Sequence, residues 1–481
     1  MWFNWTVGFL ILFRFGLFIY FLMVDHTFIH LDSGAYIDLA DNLLRNHVFT
    51  MSSPNPDFEV QSQDRPYGPE VFRTPGFPVF LALFKLLGIN DLFWVVYGQE
   101  IIYLASVFLF YQYGRQLLGL NFTRIGVIFL MLNPGGIAYT KLILSETLFM
   151  PFVFGSLFSI GFYFKKRHWK YLFFAGIIMG IGALIRPIMY YFPWVAAGTI
   201  LFFYRNNKYS WFHTSVMLLT FLLVISPWLI RNYQIYGQYF FSGQASNVLV
   251  HYHVPRVWNA EGIRSYWDGR PFIRKMVAEA RIDKEKQLGR PLDAVEFFKF
   301  QQQIALKELI KYPKTYLTQW ISGTLKAMYV PFAVEVYNVY HEPGAPIPFI
   351  ELLPDTLQAE KTNALGIPVF SKTSITGKLF YFVTHARPLY LLSIITSVLT
   401  MVFALLGVFY VVQKKDPFLW LIMLANFYYI SVAGPTGYAR FRLPVDVFWF
   451  IQAIFGGIWC WGFFQQLLSP LKSKMLTTGA G

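Results

Sequence analysis

Residues 30–49, HLDSGAYIDLADNLLRNHVF, and 72–78, FRTPGFP, place a carboxylate and a guanidinium between two apolar runs. The first run gives out at Val24 and Asp25, so Asp32 stands where the chain leaves an apolar layer and meets water. Arg73, Thr74 and Pro75 come just ahead of the second run. Charge held between two candidate membrane helices is costly and needs a reason. The rest of the chain reads as a scaffold around this pair.

Composition supports a membrane scaffold. Of 481 residues 56% are hydrophobic, 20% aromatic and only 14% charged, against about 25% charged in soluble domains. Several apolar runs reach the ~20 residues that cross ~30 Å of hydrocarbon. The abundant Phe and Tyr suit lipid tails and headgroups. The single cysteine, Cys460, rules out a disulfide framework and a cysteine metal site. A net charge of +14 raises the question of nucleic acid, but the basic residues fall in short loops between apolar runs, which is a topology signal. The run Trp5 to Val24 is too long for a signal-peptide core and lacks a small-residue cleavage site, so it reads as a retained helix.

The predicted fold is an all-α multi-pass membrane protein, one domain over 1–481, with about ten spans. These are 5–24, 92–112, 124–143, 145–164, 170–186, 188–204, 212–230, 389–412, 417–433 and 443–466. Loops 113–124, 165–170, 205–208 and 413–416, with the C-terminal tail, hold twelve Lys and Arg against one acid, Asp416. The positive-inside rule puts that side, and both termini, in the cytoplasm. The long segments 25–91 and 231–388 then form an outer face for catalysis and acceptor. The run 316–334, YLTQWISGTLKAMYVPFAV, would make an eleventh span, but it carries Gln319, Ser322, Thr324 and Lys326. An interfacial or re-entrant helix is preferred there, since a full span would move Lys414 and Lys415 outside. Residues 38–46 and 293–311 read as amphipathic outer helices, the latter ending at Pro313. The proline-rich stretch 50–70 reads as a loop.

Asp32 has two readings: a helix cap ahead of Ser33-Gly34-Ala35-Tyr36, or a general base at the membrane interface. Glu146 likewise reads as a first-turn acid behind a capping Ser145, or as a second acid that binds a cation or holds an acceptor. Arg73, Arg186, Arg231, Arg440 and Arg442 all fall at outer ends of spans, where the positive-inside rule predicts few. Snorkelling to lipid phosphates is one account. A clamp on a phosphate or pyrophosphate leaving group is the other, since guanidinium is planar, bidentate and permanently charged. His251 and His253 read as a surface pair rather than metal ligands, Lys85 as an interfacial lysine, and Gly176, Gly180 and Gly182 as small-residue helix packing. No Walker A, Rossmann fingerprint or HExxH is present.

The segments DSGAYIDLADNLL, FRTPGFPVFLALF, LSETLFMPFVF, GALIRPIMYYFPW, SPWLIRNYQIYG and ARFRLPVDVFW occur in this order. Together they resemble bacterial polyprenyl-phosphate-dependent glycosyltransferases of the GT-C superfamily, which includes protein O-mannosyltransferases and the lipid A aminoarabinose transferase. The resemblance covers 1–240 and 389–466. It implies inverting sugar transfer from a polyprenyl-phosphate donor to a cell-envelope lipid, glycan or protein, on the non-cytoplasmic face of the cell (inner) membrane. It makes Asp32 the first-loop catalytic acid and Glu146 the acid of the second outer loop. It makes Arg73, Arg186, Arg231, Arg440 and Arg442 candidates for the donor phosphate. Many members carry two adjacent acids at the first position. Here Ser33 follows Asp32, which weakens a two-carboxylate metal site; no cofactor is assigned, and a divalent cation stays open. A transporter or flippase of lipid-linked saccharide is the alternative, though it predicts repeated halves that the sequence lacks. A non-catalytic scaffold of an envelope complex is a third.

Overall fold

The computed structural model describes residues 2–24, 29, 32–52, 68–331, 388–432 and 434–478. Helices form wherever apolar runs are free of interruption, and prolines and glycines set most of the breaks. In order they are α1 (Trp2–Val24), α2 (Ser33–Arg45), α3 (Gly76–Leu86), α4 (Leu92–Leu117), α5 (Leu120–Leu132), α6 (Pro134–Lys141), α7 (Ser145–Lys166) and α8 (Trp169–Ile185). Then come α9 (Phe192–Tyr204), α10 (Lys208–Tyr236), α11 (Gln244–Val248), α12 (Val254–Ala260), α13 (Tyr266–Leu288) and α14 (Ala294–Ile310). The last four are α15 (Pro313–Tyr329), α16 (Pro388–Lys414), α17 (Pro417–Ser431) and α18 (Asp446–Thr478). The described residues contain no named strand, only an isolated bridge between Thr50 and Pro69.

Among the described residues six helices are long and apolar enough to cross a membrane, or seven if the bent pair α5–α6 counts as one span. The ten spans expected from sequence are therefore not reached by length and composition alone. Two causes are visible. The run 124–143 is broken at Pro134, where the axis turns by 49°, because proline cannot donate to the preceding turn. Asn133 caps the second half, its side-chain oxygen accepting from the Gly136 amide at 3.2 Å. The runs 170–186 and 417–433 give helices of 17 and 15 residues, only about 25 and 22 Å long at 1.5 Å per residue. The 316–334 segment forms α15, also 17 residues, and is not among the candidate spans. The expected amphipathic helices appear as α2, which starts several residues earlier than periodicity suggested, and α14. A reciprocal cap between Asp293 and Glu296 starts α14.

The most enclosed span is α7, with 67% of its apolar window buried. It packs on α4, α8 and α17 within the largest core, around Phe110, Phe154, Phe158 and Phe448. The glycine pattern of α8 is explained by packing. A Cβ on Gly176 would stand 2.0 Å from Thr220 Oγ1 and 2.4 Å from the Met217 carbonyl oxygen of α10, so only glycine permits that approach. A second core joins α2, α3 and the start of α4. A third joins Val71 and Phe72 to α12, α13 and α14 through Trp258, Ile273 and Phe298.

The helices also sort charge to two ends. Glu146 opens α7 and Lys165 and Lys166 close it, about 30 Å away by helical rise. At the basic end Lys165 donates to the Gln116 carbonyl at 3.1 Å, and Arg167 stacks 3.2 Å from the Tyr204 ring centroid. The basic loops thus gather together, opposite the acids.

Candidate functional site

Asp32 occupies the cap position of α2, but its side chain makes no capping hydrogen bond. Its backbone carbonyl accepts from Tyr36 while its carboxylate turns toward arginines. Oδ1 lies 3.4 Å from Arg73 Nη2 and Oδ2 lies 3.5 Å from Arg440 Nη1. Between the cap and base readings, the side chain follows neither local capping nor open solvent. It enters a cluster.

Glu146 is the second acid of that cluster. Leu144, not Ser145, stands at the cap of α7, and the Ser145 hydroxyl instead accepts from Arg186 at 3.0 Å. Glu146 Oε1 takes Arg186 Nη1 at 2.8 Å and also accepts from Arg440 Nε. Its other oxygen is buried without a hydrogen-bond partner. Arg440 therefore bridges the two acids, and the charges run Arg73–Asp32–Arg440–Glu146–Arg186. Burial alone would lower the Arg440 pKa, but Glu146 first and Asp32 second raise it well above its usual value. The Tyr36 phenol sits in the same field, raised by burial and then by Asp32. Three guanidinium groups face two carboxylates, so the cluster is net positive by one. Asp32 is its most open member, with 31% side-chain exposure, while Glu146 has 0%.

The local chain explains the aim of each group. The Glu70 carboxylate accepts from the amides of Phe72 and Arg73, which fixes the turn ahead of α3. A Cβ on Gly76 would stand 2.8 Å from the Leu184 carbonyl, so glycine lets α3 begin against the end of α8, where Arg186 emerges. Ser33 donates to the Ile143 carbonyl at 2.9 Å, tying α2 to the segment that leads into Glu146.

The other two candidate arginines lie outside the cluster. Arg231 donates to the Glu70 carbonyl at 2.8 Å and the Phe49 carbonyl at 3.2 Å, and its guanidinium stands 4.8 Å from the Trp228 ring centroid. Arg442 pairs with Asp446 at 2.6 Å and donates to the carbonyls of Ala327 and Met328 at the end of α15. Arg231 thereby supports the site at one remove, since the segment it clamps carries Glu70.

One further expectation needs correction. His251 and His253 are not a surface pair: they are 3% and 7% exposed in a π-helical turn, Leu249–His253. The reason is the apolar face of that turn, which packs into the third core. His253 Nδ1 meets the Tyr316 hydroxyl at 3.1 Å, and burial depresses its pKa to about 4. Lys85, read as an interfacial lysine, pairs with Asp41 at 2.6 Å. Sequence reading also passed over Arg14 and Glu100, which form a two-pronged pair at 2.6 and 3.0 Å inside the helices. The signal was there: each interrupts an otherwise apolar run.

A divalent cation does not fit this donor set. Both Asp32 oxygens face guanidiniums and Glu146 Oε1 is shared by two, so a dication would enter a cluster already positive. Among the described residues no group of three or more His, Cys, Asp or Glu could hold a metal.

Residues 72–230, about a third of the chain, match the family described as dolichyl-phosphate-mannose-protein mannosyltransferase, in line with the resemblance carried by the motifs. No curated protein sequence matches the chain. Among solved structures, the oligosaccharyltransferase AglB of Archaeoglobus fulgidus, in complex with an inhibitory peptide and a dolichol-phosphate, is 13% identical with a TM-score of 0.47. That match covers 91% of this chain and 48% of AglB. The same archaeal enzyme in complex with Zn and sulfate is 13% identical with a TM-score of 0.44, covering 93% and 47%. ArnT from Cupriavidus metallidurans is 12% identical with a TM-score of 0.37, covering 93% of this chain and 78% of its own. The chain spans about half the length of the archaeal structures it matches.

Proposed function

We propose, on the premise of that glycosyltransferase resemblance, that this chain is an inverting transferase moving a sugar from a polyprenyl-phosphate donor to a cell-envelope acceptor. The observation that carries the reading is Arg440 bridging Asp32 and Glu146, with Arg73 and Arg186 at either end. In this reading the transfer happens on the non-cytoplasmic face of the cell membrane, opposite the basic loops, and both termini are cytoplasmic.

The chemistry follows from the geometry. Asp32 is held by two long contacts rather than a tight bidentate pair, so its carboxylate is placed to accept a proton from an incoming hydroxyl or amine. The acceptor atom forms its bond to the anomeric carbon as the bond to the lipid phosphate oxygen breaks. The electron pair leaves on the phosphate, and the acceptor's proton goes to Asp32. Arg440, with Arg73 and Arg186, supplies the positive charge that stabilises the departing phosphate. Attack on one face and departure from the other inverts the anomeric centre. The partnerless Glu146 oxygen is left to accept from a donor group on the sugar or acceptor, which also explains why a buried carboxylate keeps one oxygen open.

The test is Asp32→Asn, which keeps size and removes the base. Purified protein in lipid nanodiscs, given a labelled polyprenyl-phosphate sugar and envelope extracts, is expected to lose at least ~100-fold in transfer, in line with the worth of a general base. Expression and membrane insertion should be unchanged. Transfer near the native rate would refute the assignment, and movement of the labelled lipid across a bilayer without transfer would favour the flippase reading.

A further inference from the structure

A second group of cations stands around Tyr252 and Tyr266. Arg256 on α12 stands 4.7 Å from the Tyr266 ring centroid. Arg270 on α13 stands 5.2 Å from Tyr252 and 6.0 Å from the same Tyr266. The Nε atoms of both arginines are buried and have no hydrogen-bond partner. Lys326 on α15 packs its aliphatic stem on Gly437, its Cδ 3.1 Å from where a Cβ would be. Burial, then the charge of Arg256, lowers the Lys326 pKa to about 7. Among the described residues no carboxylate acts on Lys326 and none of the three cations forms an ion pair. By contrast, every arginine of the Asp32 cluster meets an acid.

Like charges gathered with no counterion among the described residues repel, and an anion bound between them would relieve that repulsion. The neighbouring helix indicates where the anion comes from. On α15 Leu317, Ile321 and Leu325 are 56%, 52% and 40% exposed at a spacing that forms one stripe, with Trp320 beside it. An exposed apolar stripe flanked by tryptophan and lysine is the pattern of a helix lying in the interface. We propose that Arg256, Arg270 and Lys326 form a binding site for the phosphate of an anionic phospholipid headgroup, seated where α15 rests on the bilayer. The site is independent of the transferase cluster and does not need its chemistry.

The probe is the amine reactivity of Lys326, read by peptide mass spectrometry on the full chain at pH 8, with exposed Lys275 as internal control. Moving the protein from nanodiscs of phosphatidylcholine to nanodiscs containing phosphatidylglycerol is expected to slow Lys326 labelling about fivefold and leave Lys275 unchanged relative to bulk. The double variant Arg256→Gln, Arg270→Gln should abolish the difference, while Asp32→Asn should preserve it. Protection by inorganic phosphate in phosphatidylcholine, with no effect of phosphatidylglycerol, would overturn the lipid headgroup as the source. Protection by neither would overturn the site itself.

Discussion

The Arg14–Glu100 pair and the Asp32–Glu146 cluster both bury arginine against carboxylate, and they differ in how completely their charges are used. Around Arg14 and Glu100 both acid oxygens are taken, Arg14 also donates to the Gly136 carbonyl at 3.1 Å, and its guanidinium stacks 3.9 Å from the Tyr103 ring centroid. Both side chains are at most 2% exposed. Around Asp32 and Glu146 the contacts are longer at one end, one carboxylate oxygen is left over, and one guanidinium is in excess. The first cluster is a staple that holds α1 to α4 and to the break before α6. The second has room for chemistry. Placing charge in a membrane protein does not by itself mark a site; incomplete pairing with partial exposure does.

The comparison can be broken by separating fold from activity. The largest effect is expected from Glu100→Gln, which leaves Arg14 buried and unpaired and should cost about 3–5 kcal/mol of stability. Yield and thermal midpoint should fall, while the surviving folded protein keeps its native transfer rate. A loss of transfer without loss of stability would make this pair part of the site. Arg440→Gln should do the reverse, lowering transfer about 10²–10³-fold with a smaller fall in thermal midpoint. Equal losses of both would make Arg440 another staple.

Arg231→Gln tests the link through the 69–70 segment. Removing its donations to two carbonyls should cost about 1–3 kcal/mol. Because that segment carries Glu70, which fixes the Arg73 turn, transfer should fall several-fold with the change in donor affinity exceeding that in turnover. The smallest effect lies farthest out. Arg290 holds the Glu296 carboxyl at about 2, so the pair contributes fully above the unfolded carboxylate range near 4.5 and is lost as pH falls through about 2. With Arg290 about half exposed and Glu296 less so, solvent screens the pair and it is worth about 1 kcal/mol. Glu296→Gln should slightly flatten the acid limb of stability and leave transfer untouched, as followed by thermal unfolding between pH 3 and 7.

Much of this was legible because the ends of apolar runs are legible. Asp32, Arg73, Glu146, Arg186 and Arg440 were singled out by depth, and the fold brings all five together. Arg231 and Arg442 carry the same signal yet point away from the cluster, Arg231 to backbone carbonyls and Arg442 to Asp446 and two carbonyls, since position along a helix reports depth and not the direction a side chain faces. The bend at Pro134 split a run that hydropathy joined. The histidines misled because their segment coils into a π turn instead of extending. The Arg14–Glu100 pair was overlooked because an apolar average hides a single charge.

The order of synthesis gives the bridging arginine one more consequence. Glu146 meets Arg186 at the end of the very next helix, so a growing chain can neutralise that acid as soon as α8 has been made. Arg440 lies 294 residues beyond Glu146, just ahead of the final helix. Until that last stretch has been translated, Asp32 and Glu146 have no common partner. A ribosome that stops before Arg440 leaves a threaded membrane chain with two separate acids, and the assembled centre waits for the stretch that carries this arginine.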